Sequence, residues 1–307
     1  MSNRVVFFGN ERLATGVSTT APVLQALIAA GYDVAAVVAH HDAGKSRKPR
    51  ELEVGIVTAN HDIPLFIPGK LSEISDQLHE LQADIGVLVA YGKIVQQSII
   101  DIFPHGIVNI HPSLLPKHRG PTPLESVILA GDTETGVSIM SLAAAMDAGP
   151  VYAQERVQLS GTETKQQLAD QLVAIGKNML LTHLPAILDG TLQPLPQNDD
   201  AAIYDNLITK EAGIINWADP AVVIERQIRA YADWPKSRTQ LGGRDVVITK
   251  AHVIAGTNTD TPGVIWLQDR HIGMHTGEGI LVIDELVPAG KKPMSGSDFL
   301  LGYKPVA

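Results

Sequence analysis

The sequence contains no cysteine. That removes disulfide bridges, thiolate metal ligands and cysteine nucleophiles together, and it suits a reducing compartment. Positive charge is scarce too: 24 Lys and Arg stand against 33 Asp and Glu, for a formal net charge of −9. Such a balance excludes broad, non-specific nucleic-acid binding, which depends on neutralising phosphates, but leaves room for an RNA held by a local basic patch. No apolar run approaches the roughly 18–20 residues needed to cross a bilayer. The first residues, Met1 to Gly9, enter a strand-like stretch without the apolar h-region and cleavage site of a signal peptide. A cytoplasmic protein away from membranes is expected. Also missing is the G-x-G-x-x-G phosphate cradle of dinucleotide-binding sheets, because Asn10, Glu11 and Arg12 follow Gly9. This counts against an NAD-dependent oxidoreductase.

What is present is ordinary globular material: 307 residues, 45% of them hydrophobic, enough for one large domain or two of normal size. The first half alternates strand and helix patterns. Apolar runs at Val5–Phe8, Val34–Ala39, Ile63–Phe66, Ile85–Ala90 and Gly106–His111 read as strands. Pro22–Ala30 and Leu71–Gln82 read as helices between them. Strands buried on both faces with intervening helices predict an α/β fold, a Rossmann-like parallel sheet. A long helix is predicted from about Thr162 to Asp189, opened by a capping box at Ser160–Glu163 and carrying Leu168, Leu172, Ile175 and Met179 on one face. The composition then shifts to Pro, Gln, Asn and Asp, the signature of a linker. Beyond it come a helix over about Ala221–Ala232 and short Gly-broken strand runs, which suggest a small OB-like β-barrel. The expected organisation is a catalytic domain over 1–190, a linker over 191–204 and a β-barrel domain over 205–307.

Chemistry concentrates in two stretches. In the first, Asn109 to Gly120, strand alternation puts the Asn109 amide and the His111 imidazole on one face at the carboxyl end of a strand. Pro112 stops the strand, and Pro112 and Pro116 bracket a stiff loop, Ser113–Leu114–Leu115. The second runs from Gly131 through Val137–Met140 to Asp147–Ala148–Gly149, so that Asp147 sits on a tight loop after an apolar strand. A carboxylate there is able to orient the imidazole, deprotonate it, or act through a water. Each element alone has a plainer explanation: Asp132 serves its turn through an Asx hydrogen bond. Of eleven histidines, His40, His41, His79, His183, His252 and His271 are read as structural. The combination is what marks a site.

These residues resemble a known family. The run from Asn109 to Gly120 is similar to the signature loop of the 10-formyltetrahydrofolate-dependent formyltransferases. Gly131–Asp132 with Thr135–Met140 and Asp147–Ala148–Gly149 resembles that family's second motif. Val89–Gly92 is similar to the segment beside the family's pterin pocket. Asn216–Trp217, Arg229–Tyr231, Trp234–Pro235 and Pro288–Met294 resemble the C-terminal domain of the branch that formylates methionyl-tRNA. Three departures stand out. Gly9–Asn10–Glu11–Arg12 replaces Gly-Thr-Pro-x, the basic loop Gly44–Arg50 is short, and Gly120–Pro121–Thr122–Pro123 replaces Gly-Ala-Ala-Pro.

The resemblance implies a formyl donor, 10-formyltetrahydrofolate, and an acceptor, initiator methionyl-tRNA, with no metal and no DNA; a monomer is the working expectation. It implies that Asn109 and His111 donate hydrogen bonds to the oxyanion of a tetrahedral intermediate, with Asp147 holding His111 charged or oriented. It places the folate along Ser113, Leu114, Leu115 and Pro116, with Tyr91, Gly92, Lys93 and Ile94 nearby. For the tRNA, the densest basic cluster is Lys45, Arg47, Lys48 and Arg50, and Lys210 extends it. An amino-sugar nucleotide formyltransferase and a formyltetrahydrofolate hydrolase are the rival readings, since both share the donor and the trio.

Overall fold

The computed structural model describes residues 3–40, 52–256 and 261–303. The chain divides into two compact units. The first comprises Met1–Leu124, Thr133–Leu159 and Gln166–Asn206; the second comprises Glu125–Asp132, Ser160–Lys165 and Leu207–Ala307.

The first unit is built on strands β1 (Arg4–Phe8), β2 (Asp33–Val38), β3 (Leu65–Phe66), β4 (Ile85–Leu88), β5 (Ile107–His111), β6 (Glu134–Ser141) and β7 (Val151–Gln158). They form one sheet in the order β3-β2-β1-β4-β5-β6-β7. β1 to β5 run parallel, whereas β6 and β7 are antiparallel. The central strands are apolar throughout because both faces are covered: Val5 to Phe8 are fully buried, as are Ile85, Val87, Ile107 and Val108. Helices α1 (Pro22–Ala29), α2 (Glu53–Asn60), α3 (Ser75–Glu80), α4 (Gln97–Ile100) and α6 (Lys165–Leu188) link or flank these strands, while α5 (Pro123–Ala130) falls mostly in the second unit. On one face, Phe8 meets Tyr91 and Phe103 edge-on, with ring centroids 6.0 and 5.8 Å away.

Two predicted helices begin later than expected. Over Leu71–Ile74 the chain forms a 3₁₀ turn and only then α3. Leu71 and Ile74, three apart, both face the core, and a three-residue period lines them up where an α-helix would offset them. α6 starts at Lys165 because Glu163 turns its carboxylate back on Ser160 and Gly161, closing a local turn in front of the helix. β7 was not legible in the sequence. Half of its residues are exposed and only one is buried, as suits an edge strand, so no apolar alternation marks it.

The second unit contains an antiparallel sheet of β8 (Ser237–Leu241), β9 (Arg244–Ile254), β10 (Ile265–Gln268), β11 (His271–His275), β12 (Ile280–Pro288) and β13 (Met294–Ser295), with α7 (Ala221–Ala230) and α8 (Gly296–Tyr303). The order is β10-β11-β12-β9-β8, and β13 pairs with β12. Ile224 and Ile228, four apart on α7, join Val246, Ile248, Leu281, Leu286 and Phe299 in its core.

One helix start departs from the usual pattern. α1 has Pro22 at its first position, and no side chain of Ala21 caps it. Instead Glu11, from the loop after β1, accepts the Val23 and Leu24 amides at 2.8 and 2.7 Å. Burial pushes the Glu11 carboxyl up from 4.5 to about 7, against the opposing pull of those two amides. Between about pH 4.5 and 7 the unfolded chain releases this proton while the folded chain keeps it, so stability falls as pH rises through that window. At about 1.4 kcal/mol per pKa unit the loss is on the order of 3 kcal/mol. Glu11→Gln is expected to abolish this decline. Urea midpoints of both proteins from acid to neutral pH should diverge in the variant's favour; parallel curves would show that Glu11 carries no extra proton.

Candidate active site

The sheet order reverses between β1 and β4: β2 and β3 lie on one side of β1, and β4 to β7 continue on the other. In open α/β sheets this is where a crevice opens beyond the strands' carboxyl ends. A cavity of about 490 Å³ lies here. Its wall takes Arg12 and Leu13 after β1, Leu88 and residues 90–95 at the end of β4, residues 109–112 from β5, and Leu142–Ala144, Met146 and Asp147 after β6.

The first loop starts tightly. Gly9 has φ +132°, and a Cβ there would sit 1.9 Å from the Val89 carbonyl oxygen, so only glycine lets the chain cross the end of β4. The Asn10 and Glu11 amides then hydrogen-bond to the Ala90 and Val89 carbonyls. Arg12 points to the cavity and pairs with Glu53 at the start of α2. Tyr91, 1% exposed, forms part of the floor. Among the described residues its hydroxyl has no hydrogen-bond partner, and burial pushes it up to about 12.

Asn109 and His111 emerge from β5 on the same face, both nearly buried at 6% and 5% exposure, and both reach the cavity. His111 Nε2 lies 2.9 Å from the His118 carbonyl oxygen. A carbonyl only accepts, so Nε2 carries the hydrogen and Nδ1 is left for other work. Nδ1 faces Asp147 Oδ1 at 3.7 Å, too long for a direct hydrogen bond. Asp147 has φ +48°, and its other oxygen accepts the Gly120 amide at 2.8 Å.

Behind this trio lies a polar brace. Arg119, 1% exposed, donates to Gln197 Oε1 from Nε (3.1 Å) and Nη2 (2.8 Å), to Asp199 (2.7 Å) and to the Tyr204 hydroxyl (2.7 Å). The Gln197 amide nitrogen donates to the Asp147 and Gly149 carbonyls at 2.8 and 2.6 Å. Backbone bonds add to it: Arg119 N to Ile203 O at 2.8 Å and Asp205 N to Arg119 O at 2.7 Å. The segment 191–204, expected as a linker, thus lies against the first unit, pinned by Arg119 and by Leu195 pairing with Val151. Its Pro, Gln, Asn and Asp content serves that polar contact.

Of the residues singled out from sequence, the structure gathers Asn109, His111, Asp147, Tyr91, Gly92, Lys93 and Ile94 at the cavity. Ser113, Leu114, Leu115 and Pro116 do not line it. Ser113 is fully buried and donates to the Lys117 carbonyl, and the Leu115 amide donates to Ser138 of β6, so this loop turns away from the cavity and onto the sheet. Lys210 is exposed in the second unit. Lys45, Arg47, Lys48 and Arg50 lie outside the described residues. Sequence reasoning missed Arg12, Met146 and the brace of Arg119, Gln197 and Tyr204. The only signal was the polar bias of 191–204, and nothing in it names a partner about 80 positions away.

The pattern described as "Formyl transferase" matches residues 4–184, more than half of the chain, and that described as "Formyl transferase, C-terminal domain" matches residues 207–304. The chain belongs to the formyl transferase family. The formyltransferase is 39% identical over 305 residues to the methionyl-tRNA formyltransferase of Chloroflexus aurantiacus, covering 97% of this chain and 96% of the relative. Solved structures share its fold. An N-formyltransferase from Helicobacter canadensis, in complex with folinic acid and dTDP-3-aminofucose, matches at a TM-score of 0.67 and 19% identity over 92% of this chain and 99% of that one. HypX from Aquifex aeolicus, in complex with tetrahydrofolic acid, matches at a TM-score of 0.62 and 16% identity over 97% of this chain and 46% of that one. Among the described residues, no cluster of three or more His, Asp or Glu is placed to hold a metal, and no helix is long and apolar enough to cross a membrane.

Gly120 joins the halves of the site. It has φ +120°, and a Cβ there would lie 2.6 Å from the Asp205 carbonyl oxygen. Gly120→Ala is therefore expected to push the loop off Asp205 and draw the Gly120 amide away from Asp147. The formyl-transfer rate should fall on the order of 10²-fold, as for an ångström-scale misplacement, with circular dichroism unchanged. A wild-type rate would show that this amide does not set the position of Asp147.

Proposed function

We propose that this formyltransferase moves the formyl group of 10-formyltetrahydrofolate onto the α-amine of methionyl-initiator tRNA, in the cytoplasm, in support of translation initiation. The observation that carries this reading is the convergence of an amide, an imidazole and a carboxylate on one cavity at the sheet's switch point. Near-full-length identity to a methionyl-tRNA formyltransferase supports the acceptor.

In this reading the folate lies along the wall formed by Tyr91 to Ile94, with its formyl group between Asn109, His111 and Asp147. The methionyl amine attacks the formyl carbon, and the carbonyl oxygen becomes an oxyanion. The Asn109 side-chain amide donates to that oxygen, and His111 Nδ1 donates to it with the proton that the attacking amine loses. Donors fixed in a dry pocket act most strongly where charge develops. Asp147 orients the ring and passes that proton from the amine to Nδ1, from which it goes on to the leaving nitrogen. Collapse of the intermediate breaks the bond to folate N10, which takes a proton as tetrahydrofolate leaves.

The basic residues Lys45, Arg47, Lys48 and Arg50, together with Lys210 of the C-terminal tRNA-binding domain, hold phosphates of the acceptor in this proposal. Ser113, Leu114, Leu115 and Pro116 enter the proposal as further folate contacts beside the cavity rather than in its wall.

Three measurements test the reading. Purified protein is incubated with 10-formyltetrahydrofolate and either methionyl-initiator tRNA, an amino-sugar nucleotide or no acceptor, and the formylated product is identified. Formyl-methionyl-tRNA is expected; a formylated sugar, or formate alone, would replace this reading with a sugar formyltransferase or a hydrolase. Asn109→Ala should lower turnover by about 10²–10³-fold, the usual cost of one oxyanion donor, and Asp147→Asn should lower it comparably with folding intact. A combined Ala variant at Lys45, Arg47, Lys48 and Arg50 should raise KM for tRNA and flatten its salt dependence while leaving KM for folate unchanged; an unaltered salt slope would remove this patch from the tRNA site.

A further inference from the structure

His118 and Asp205 are recruited by none of the chemistry above, yet they form a buried pair against the loop that touches His111. The His118 side chain is 8% exposed and that of Asp205 6%, and Nδ1 of the first lies 3.1 Å from Oδ1 of the second. A carboxylate only accepts, so His118 Nδ1 carries the shared hydrogen. Among the described residues the second oxygen of Asp205 accepts no hydrogen bond, so the bond from His118 is the one that meets this buried carboxylate there.

His118 is held in the left-handed region, at φ +58°, where a non-glycine residue rarely rests unaided. In that conformation its carbonyl aims at His111 Nε2, 2.9 Å away. Two residues on, the Gly120 amide meets Asp147 Oδ2. One short loop therefore fixes the hydrogen on one side of the imidazole and the carboxylate on the other. The imidazole of His118 is anchored outward to Asp205 while its backbone faces inward to the site.

We propose that His118 and Asp205 are positioning residues for His111: their contact holds the 118–120 loop so that the His118 carbonyl locks His111 in the Nε2–H form and leaves Nδ1 to the substrate. This inference rests on the role assigned to His111 above. The loop's gross fold has separate support in the Arg119 contacts and in the backbone bonds from Arg119 to Ile203 and Asp205. Breaking the His118–Asp205 contact thus loosens the orientation of the carbonyl without releasing the loop.

The test uses the full-length protein, three variants of the pair and His111→Gln for spectral assignment. His118→Phe and Asp205→Ala are expected to lower kcat on the order of 10- to 100-fold, with KM for folate and tRNA unchanged and thermal melting still cooperative. Asp205→Asn keeps an oxygen for His118 Nδ1–H and should recover most of the rate. In ¹⁵N spectra, the His111 signals, assigned by their loss in His111→Gln, should show an Nε2–H ring in the wild type and a mixture of tautomers in His118→Phe and Asp205→Ala. A kcat unchanged in both variants would overturn the proposal, as would His111 signals that stay at their wild-type positions. If the wild type transfers no formyl group to methionyl-tRNA, the acceptor assignment falls, while the His111 spectra still judge this inference on their own.

Discussion

The guanidinium of Arg119 is the point on which the site turns. It is a buried charge, and a buried charge persists only when its hydrogens find partners. Those partners are Gln197, Asp199 and Tyr204, all from a segment about 80 residues downstream. Gln197 then passes the connection on by holding the carbonyls of Asp147 and Gly149. In this way one side chain ties the loop after β5, the loop after β6 and the stretch after α6 into a single rigid frame. Asn109 and His111 need no such frame, since they stand on a central strand. Asp147 does need it, because it lies on a loop in a left-handed conformation.

The cavity itself follows from topology. A parallel sheet whose order reverses next to its first strand leaves a gap at that point, and loops after β1, β4 and β5 all open onto it. Small residues shape the gap: Gly9 lets the first loop cross the end of β4, and Gly120 lets the later loop lie against Asp205. Aromatic packing beneath it, Phe8 against Tyr91 and Phe103, makes the floor stiff. Substrate-positioning sites work best when held by such rigid elements.

The parallel sheet was legible in the sequence because its central strands are buried on both faces and read as unbroken apolar runs; β1, β2, β4 and β5 fall within a residue or two of expectation. β7 and β8 were not, since an edge strand with polar side chains has no period to read. Asn109 and His111 were visible as neighbours because strand alternation fixes their relation locally. That Asp147 comes within 3.7 Å of His111 depends on a loop fold; the sequence pattern offered Asp147 as a partner for the imidazole, and the resemblance named it. Arg119 with Gln197, and His118 with Asp205, were invisible because pairing across so long a separation leaves no periodic trace. Ser113 to Pro116 were named by analogy; none of the four lines the cavity, and the Ser113 and Ser138 hydroxyls, hydrogen-bonded to loop backbone, hold that loop in place.

Glu11 changes what a sheet of this kind offers to ligands. In many doubly wound sheets the first helix presents its unfilled amides to a pyrophosphate, so the nucleotide supplies the negative end that the helix lacks. Here a side chain of the same chain already sits there, with both oxygens on the amides of Val23 and Leu24. The protein places its own carboxyl where a nucleotide phosphate would otherwise sit. The start of this helix is thereby taken, and the crevice is lined instead by the ends of β4 and β5.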